Sequence, residues 1–304
     1  MHVSVLRDEV LAALRPAQCA RVIDGTLGAG GHTAALLQAG ARAVLGLDVD
    51  TQALELARAH LAEFGARVHI VHASYAQMDA QAAALGWDHA DGIVLDLGIS
   101  SMQVDTPERG FSFRHDAPLD MRFDPQSERA TAAELLNTLD EAELADLFYT
   151  YGEEPHSRKL ARVIVARRPY TTTGELARVI ASALPRPKGR AALHPATRIF
   201  QALRIAVNEE LTTVEKALPL AVKLLRPGGR LAVISFHSLE DRIVKEAFRL
   251  ASSDCICPPK IPACVCGHKA SVRLLTRKPL TASAAEIAAN PRSRSAKLRV
   301  VEKL

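Results

Sequence analysis

An acid delivered into a run of glycines is the first arrangement in this chain that could do chemistry. An apolar stretch, residues 20–23, leads to Asp24, and Gly25, Gly28, Gly30 and Gly31 follow before a helical pattern resumes at Thr33. Glycines let the backbone turn where a Cβ would forbid it and let a ligand approach the main chain. The next helix aims free N–H groups into the turn. Two ligands fit that description, a dinucleotide and S-adenosylmethionine. The dinucleotide fingerprint Gly-x-Gly-x-x-Gly/Ala, counted from Gly28, meets Thr33 at its sixth position and fails there. Asp24, directly before the glycines, suits a cofactor with a cationic amino-acid end better than a pyrophosphate. The plain alternative is a glycine-rich turn that binds nothing.

Two further acids end apolar runs. Asp48 would bond a ribose diol with either cofactor, unless it merely opens the helix after it. Asp96 begins Asp96-Leu97-Gly98-Ile99-Ser100-Ser101-Met102-Gln103, which follows an apolar strand at the edge where open α/β sheets bind ligands. Hydride transfer has no special use for an acid there, whereas amino-group methylation does. The exocyclic amine of a base is a poor nucleophile because its lone pair is delocalised into the ring. Acceptors that hold its N–H groups and stabilise the developing positive charge lower the barrier to in-line attack on a sulfonium methyl.

Other chemistry-bearing residues carry less. His237, in Phe236-His237-Ser238-Leu239-Glu240-Asp241-Arg242, could remove the amine proton or could simply start a helix with its ring bonded to backbone, so no catalytic role is assigned to it. Glu240 and Asp241 read as first-turn acids favoured by the helix dipole. Cys255-x-Cys257 and Cys264-x-Cys266, with His268 beyond them, could close a structural zinc site. Cys-x-Cys pairs are less typical zinc ligands than Cys-x-x-Cys, so free thiols in a loop are the expectation and no metal is assigned. Cys19 reads as a small buried apolar residue.

The elements that must position these residues alternate. Apolar strands are expected at 20–23, 43–48, 68–72, 92–96 and 230–236, and final strands at 271–275 and 297–301, with helices at 6–14, from 33, 51–64 capped by Thr51, 78–85, 196–225 and 240–250. Strand–helix alternation argues for a parallel sheet covered on both faces. Between about 105 and 195 no buried strand is found, only loops and amphipathic helices. The chain is therefore read as a discontinuous domain, 1–104 with 196–304, carrying a helical insertion, 105–195.

Length and composition agree with that division. With 304 residues, 48% hydrophobic and 24% charged, the chain has the make-up of a globular protein with a sizeable core. No apolar run approaches the ~20 residues of a membrane span, and the N-terminus shows no basic-then-apolar leader, so a cytoplasmic protein is expected. The net charge of +4 decides little, but its distribution does. Residues 105–152 hold 11 acidic and 4 basic side chains, residues 153–190 hold 9 basic and 3 acidic, and residues 255–304 hold 10 basic and 2 acidic. Arg292, Arg294, Lys297 and Arg299 stand close together. Two basic blocks flanking a glycine-turn site suit a polyanion.

Several strings are distinctive beyond their class. Asp24-Gly-Thr-Leu-Gly-Ala-Gly-Gly-His32, Leu95-Asp-Leu-Gly-Ile-Ser-Ser101, Glu108-Arg-Gly-Phe-Ser-Phe113, Pro118-Leu-Asp-Met-Arg122, Tyr151-Gly-Glu-Glu154, His194-Pro-Ala-Thr-Arg198, Ser235-Phe-His-Ser-Leu-Glu-Asp-Arg242 and Asn290-Pro-Arg-Ser-Arg294 run in order along almost the whole chain. Together they resemble the bacterial small-subunit rRNA cytosine-N4 methyltransferase family (MraW/RsmH). The resemblance implies an α/β, Rossmann-like class I methyltransferase fold with a mostly parallel seven-stranded sheet and an inserted helical domain for rRNA recognition. It implies S-adenosyl-L-methionine as cofactor and a decoding-centre cytosine of 16S rRNA, methylated on N4, as substrate. The partner is 16S rRNA, within the small ribosomal subunit, with no membrane; a homodimer is compatible. By position the family's cofactor contacts fall on Gly30, Gly31, His32, Asp48, Tyr75, Asp96 and Gln103. Tyr75 stands where the family more usually has Phe and keeps an aromatic edge for adenine. The resemblance favours Asp96 as cofactor anchor over amine acceptor, and no base is named. Two readings from other classes compete with it: a nicotinamide-dependent oxidoreductase, and a non-catalytic RNA-binding protein with a dead cofactor fold.

Overall fold

Apolar runs that end in an acid become parallel strands. The computed structural model describes residues 4–184, 194–258 and 264–304. Its strands are β1 (Arg21–Asp24), β2 (Ala43–Asp48), β3 (Val68–His72), β4 (Ala90–Asp96), β5 (Leu225–Ser235), β6 (Val272–Leu274) and β7 (Lys297–Lys303). They form one seven-stranded sheet in the order β3-β2-β1-β4-β5-β7-β6. The first five pair in parallel, and β7 alone runs against its neighbours β5 and β6.

Alternate side chains leave a strand on opposite faces, and here each face has its own core. Ile23, Leu45, Ile93 and Leu95 pack on one side with Met78, Leu218 and Phe248. Val22, Val44 and Val94 pack on the other with Val10, Leu14, Leu36 and Leu37. Burial on both faces is why these strands read as nearly continuous apolar runs.

The described chain divides into two compact units, Met1–Gly98 with Leu211–Leu304, and Ile99–Glu210. The boundaries therefore fall at 98/99 and 210/211, where sequence suggested 105 and 195. The reason lies in the helix Ala196–Asn208, whose Ile199, Phe200, Leu203 and Val207 belong to the second unit's own core beside Phe148, Leu160, Ile164, Tyr170 and Leu176. The single helix expected over 196–225 is two helices. Glu209 takes φ +50° and ends the first, and Glu210–Leu224 then sends Val214, Ala217 and Leu218 into the sheet's core.

Two smaller expectations also change. Asp50, not Thr51, caps the helix Thr51–His60, its carboxylate accepting from the N–H groups of Gln52 at 3.1 Å and Ala53 at 3.4 Å. Strand β5 begins at Leu225 rather than 230, with an irregularity in its pairing to β4 before the register resumes at Arg230. Arg186, Lys188 and Arg190 of the basic half of the insertion lie outside the described residues. No described helix is long and apolar enough to cross a membrane.

Candidate active site

The sheet order reverses between β1 and β4, since the chain moves outward to β2 and β3 and then returns to the other side of β1. A crevice opens at the carboxyl ends of strands at such a point. Asp24, Asp48 and Asp96 are the last residues of β1, β2 and β4, so three carboxylates stand on adjacent strands at that edge. The glycine turn leaves from Asp24. Gly30, at φ +85°, forms the N-terminal cap of the helix Gly31–Gln38, and a Cβ on it would lie 2.7 Å from Leu61 Cδ1. A Cβ on Gly31 would collide with the Ser4 hydroxyl.

Asp24 is wholly buried. Its Oδ2 accepts from the Thr33 hydroxyl at 2.8 Å and its Oδ1 from the Thr26 N–H at 3.2 Å. Burial pushes its carboxyl above the ordinary value, against the pull of His32 and the two hydrogen bonds. The Thr26 hydroxyl in turn accepts from the Asp96 N–H at 2.6 Å and ties the end of β4 to the turn.

His32 is buried with Nε2 3.5 Å from Asp96 Oδ2. Burial pulls its pKa down, yet the carboxylates of Asp96 and Asp24 outweigh burial and raise it overall. Asp48 Oδ2 accepts from the Gly28 N–H at 2.7 Å and Oδ1 from the Asp50 N–H at 2.9 Å. Burial raises the Asp48 pKa to about 6, with the neighbouring acids adding to the rise. Among the described residues, Asp96 Oδ1 is buried and has no hydrogen-bond partner. An orphaned carboxylate oxygen beside two further acids fits a ligand that brings positive charge and hydroxyl or amine donors, as S-adenosylmethionine does.

Six of the seven residues singled out from sequence, Gly30, Gly31, His32, Asp48, Tyr75 and Asp96, belong to the sheet unit. Tyr75 lies beside the turn, since a Cβ on Gly25 would come within 2.9 Å of its own Cβ. Gln103 belongs to the second unit, where it is buried and shares a capping box with Ser100. Its Oε1 accepts from the Ser100 N–H at 3.0 Å, and its own N–H donates to Ser100 Oγ at 3.2 Å. The Ser-x-x-Gln spacing is a helix-start signal that was readable in the sequence. His237 occupies the helix-start role, its ring accepting from the Glu240 N–H at 3.4 Å while Glu240 accepts from the Phe236 N–H at 2.9 Å. Ser4, Thr26 and Thr33 were missed as site residues.

Two of the distinctive strings, Glu108–Phe113 and Pro118–Arg122, hold architectural bonds. Buried Arg109 donates to the carbonyls of Arg122 at 3.0 Å and Phe123 at 2.9 Å, and Asn208 donates to the Met121 carbonyl at 2.8 Å while accepting from the Phe123 N–H at 2.7 Å. These bonds satisfy backbone groups of a loop that has no ladder of its own.

The sheet order with its one reversed strand, the glycine turn at the switch point and the strand-end acids define a Rossmann-like class I methyltransferase fold. The chain belongs to the MraW methylase family, whose profile matches residues 1–304. It is 54% identical over 308 residues to a protein of Geobacter sp. (strain M21) called Ribosomal RNA small subunit methyltransferase H, covering 100% of this chain and 98% of that one. Proteins of the same name from Citrifermentans bemidjiense, 54% identical over 308 residues, and Heliobacterium modesticaldum, 50% identical over 309 residues, are each matched over 100% of this chain and 98% of their own length.

Proposed function

We propose that the protein transfers a methyl group from S-adenosyl-L-methionine to N4 of a decoding-centre cytosine in 16S rRNA, in the cytoplasm. The observation that carries this reading is the set of three strand-end carboxylates around a glycine turn, in a chain about half identical along its whole length to proteins named for small-subunit rRNA methylation. The cofactor contacts it assigns are Gly30, Gly31, His32, Asp48, Tyr75, Asp96 and Gln103.

S-Adenosylmethionine supplies an electrophilic methyl group on a sulfonium. Asp48, ionised above about pH 6, accepts the hydroxyls of a ribose. Asp96 offers its unpartnered Oδ1 to a cationic or amine donor, and His32 Nε2, 3.5 Å from Asp96 Oδ2 and likewise without a hydrogen bond among the described residues, stands beside it. Three acids against one histidine line this edge, which favours positive charge at the sulfonium and on the attacking amine. No dedicated base is assigned, because the methylated amine cation is strongly acidic and loses its proton to water. Positioning is the main source of rate. The second unit, Ile99–Glu210, is assigned to rRNA recognition, with Arg158, Lys159 and Arg162 on the exposed face of its helix Ser157–Val165 as phosphate contacts.

The test is transfer of label from methyl-tritiated S-adenosylmethionine to 16S rRNA, free and in small subunits, followed by digestion to nucleosides. Label in N4-methylcytidine is expected. Label in another nucleoside, or none with either substrate, would sink the assignment.

A further inference from the structure

Beyond the strand-end site, four thiols converge in the segment after the helix Ser238–Ala251. The Sγ atoms of Cys255, Cys257, Cys264 and Cys266 all lie within 4.8 Å of one another. Cys264 and Cys266 are 3.6 Å apart and Cys255 and Cys266 3.8 Å. A tetrahedron of sulfurs at the zinc–thiolate distance of about 2.3 Å has edges of about 3.8 Å. A disulfide brings its sulfurs to about 2.05 Å, and all four of these cysteines are free.

The backbone around the sulfurs is arranged for thiolates. The Cys257 N–H donates to Cys255 Sγ at 3.4 Å, the Ile256 N–H to Cys266 Sγ at 3.5 Å and the Val265 N–H to Cys257 Sγ at 3.5 Å. Donors aimed at sulfur favour the form that binds metal and fix its orientation. His268 is occupied elsewhere, its Nε2 lying 2.9 Å from the Leu250 carbonyl oxygen, so the ligand set is four sulfurs. Among the described residues no apolar core explains the convergence. Cys255, Cys264 and Cys266 are exposed, and Ile256 and Val265 between them are 48% and 78% exposed. Holding four thiols together, three of them exposed, costs chain entropy that a bound ion would offset.

We propose that Cys255, Cys257, Cys264 and Cys266 bind one structural Zn²⁺ as a closed tetrahedral tetrathiolate that pins the two Cys-x-Cys arms together. Four soft thiolates in a tetrahedron select zinc among the abundant divalent ions, and a site with no open position is structural rather than catalytic. This zinc site stands or falls independently of the methyl-transfer chemistry.

The test uses the full chain, purified without chelator from zinc-replete cells under reducing conditions. Elemental analysis is expected to find one zinc per chain, and zinc-edge X-ray absorption four sulfur neighbours at about 2.3 Å. The Cys255→Ser/Cys264→Ser variant is expected to lose the metal and His268→Ala to keep it. Should the double variant fold poorly, wild-type protein stripped of metal and titrated with Co²⁺ is expected to give the charge-transfer and visible bands of a tetrahedral tetrathiolate. Metal-free protein that gives no such bands, iron in place of zinc, or disulfides among the four cysteines in the isolated protein would each overturn the proposal.

Discussion

The Gly28 N–H donates to Asp48 Oδ2 across 2.7 Å, so the carboxylate at the end of β2 shapes the glycine turn. Asp48 is not the cap of the helix that follows, since Asp50 performs that role. We therefore predict that Asp48→Ala weakens S-adenosylmethionine binding by roughly 1–3 kcal/mol, through lost ribose bonds and a loosened turn. Asp48→Asn, which keeps one acceptor oxygen, is expected to lose less. Calorimetry decides, and an affinity unchanged in both variants would remove Asp48 from the site.

The raised pKa of Asp48 gives a pH dependence with a definite sign. The group moves from 3.8 to about 6 on folding, so its contribution to stability is present below 3.8 and is lost as pH rises towards 6. Cofactor binding runs the other way, because the carboxylate is the acceptor. Affinity is expected to hold above about pH 6 and to weaken below it, and Asp48→Asn to flatten that step. A wild-type affinity that stays constant on either side of that pH would contradict the assignment.

Thr33 counted only as a failed glycine in the sequence, yet its hydroxyl donates to the wholly buried Asp24. Thr33→Val leaves that carboxylate oxygen without this donor and is predicted to destabilise the fold by roughly 1–3 kcal/mol, with Thr33→Ser restoring most of it. Urea unfolding measures the difference, and a midpoint equal to wild type would show the bond to be dispensable.

Arg158, Lys159 and Arg162 are exposed on one helix, and the 3.3 Å pair between Arg162 and Glu141 is too exposed to hold much of the charge. Neutralising all three is predicted to lower RNA affinity and to make its salt dependence shallower by roughly 0.7–0.9 for each phosphate no longer neutralised, with cofactor affinity unchanged. A salt slope equal to wild type would take this face out of the RNA interface.

What could be read from sequence was local. Apolar runs ending in Asp24, Asp48 and Asp96 announced the strands and the edge at which they stop, because strand burial and strand-end chemistry lie within a few residues of each other. The bonds that lock the site were not legible, since Thr26 meets the Asp96 backbone 70 residues away and Thr33 meets Asp24 only through the fold. The second unit's boundary was hidden because helix periodicity says which face is apolar but not which core receives it. Clustered charge is equally silent about which side chains reach solvent. Of the C-terminal basic group, Arg299 is buried and bonds Asp241 at 2.7 Å, which ties it to the fold, while Lys297, on the other oxygen at 3.1 Å, stays 41% exposed.

Whether this chain methylates N4 of a decoding-centre cytosine is decided by mass spectrometry of 16S rRNA nucleosides and fragments. The rRNA comes from a strain lacking this gene, complemented with the wild-type gene or with an Asp96→Ala variant. Loss of the N4-methyl group at one decoding-centre cytosine is expected, restored by the wild-type gene and not by Asp96→Ala. A fully N4-methylated cytosine in the deletion strain would contradict the assignment.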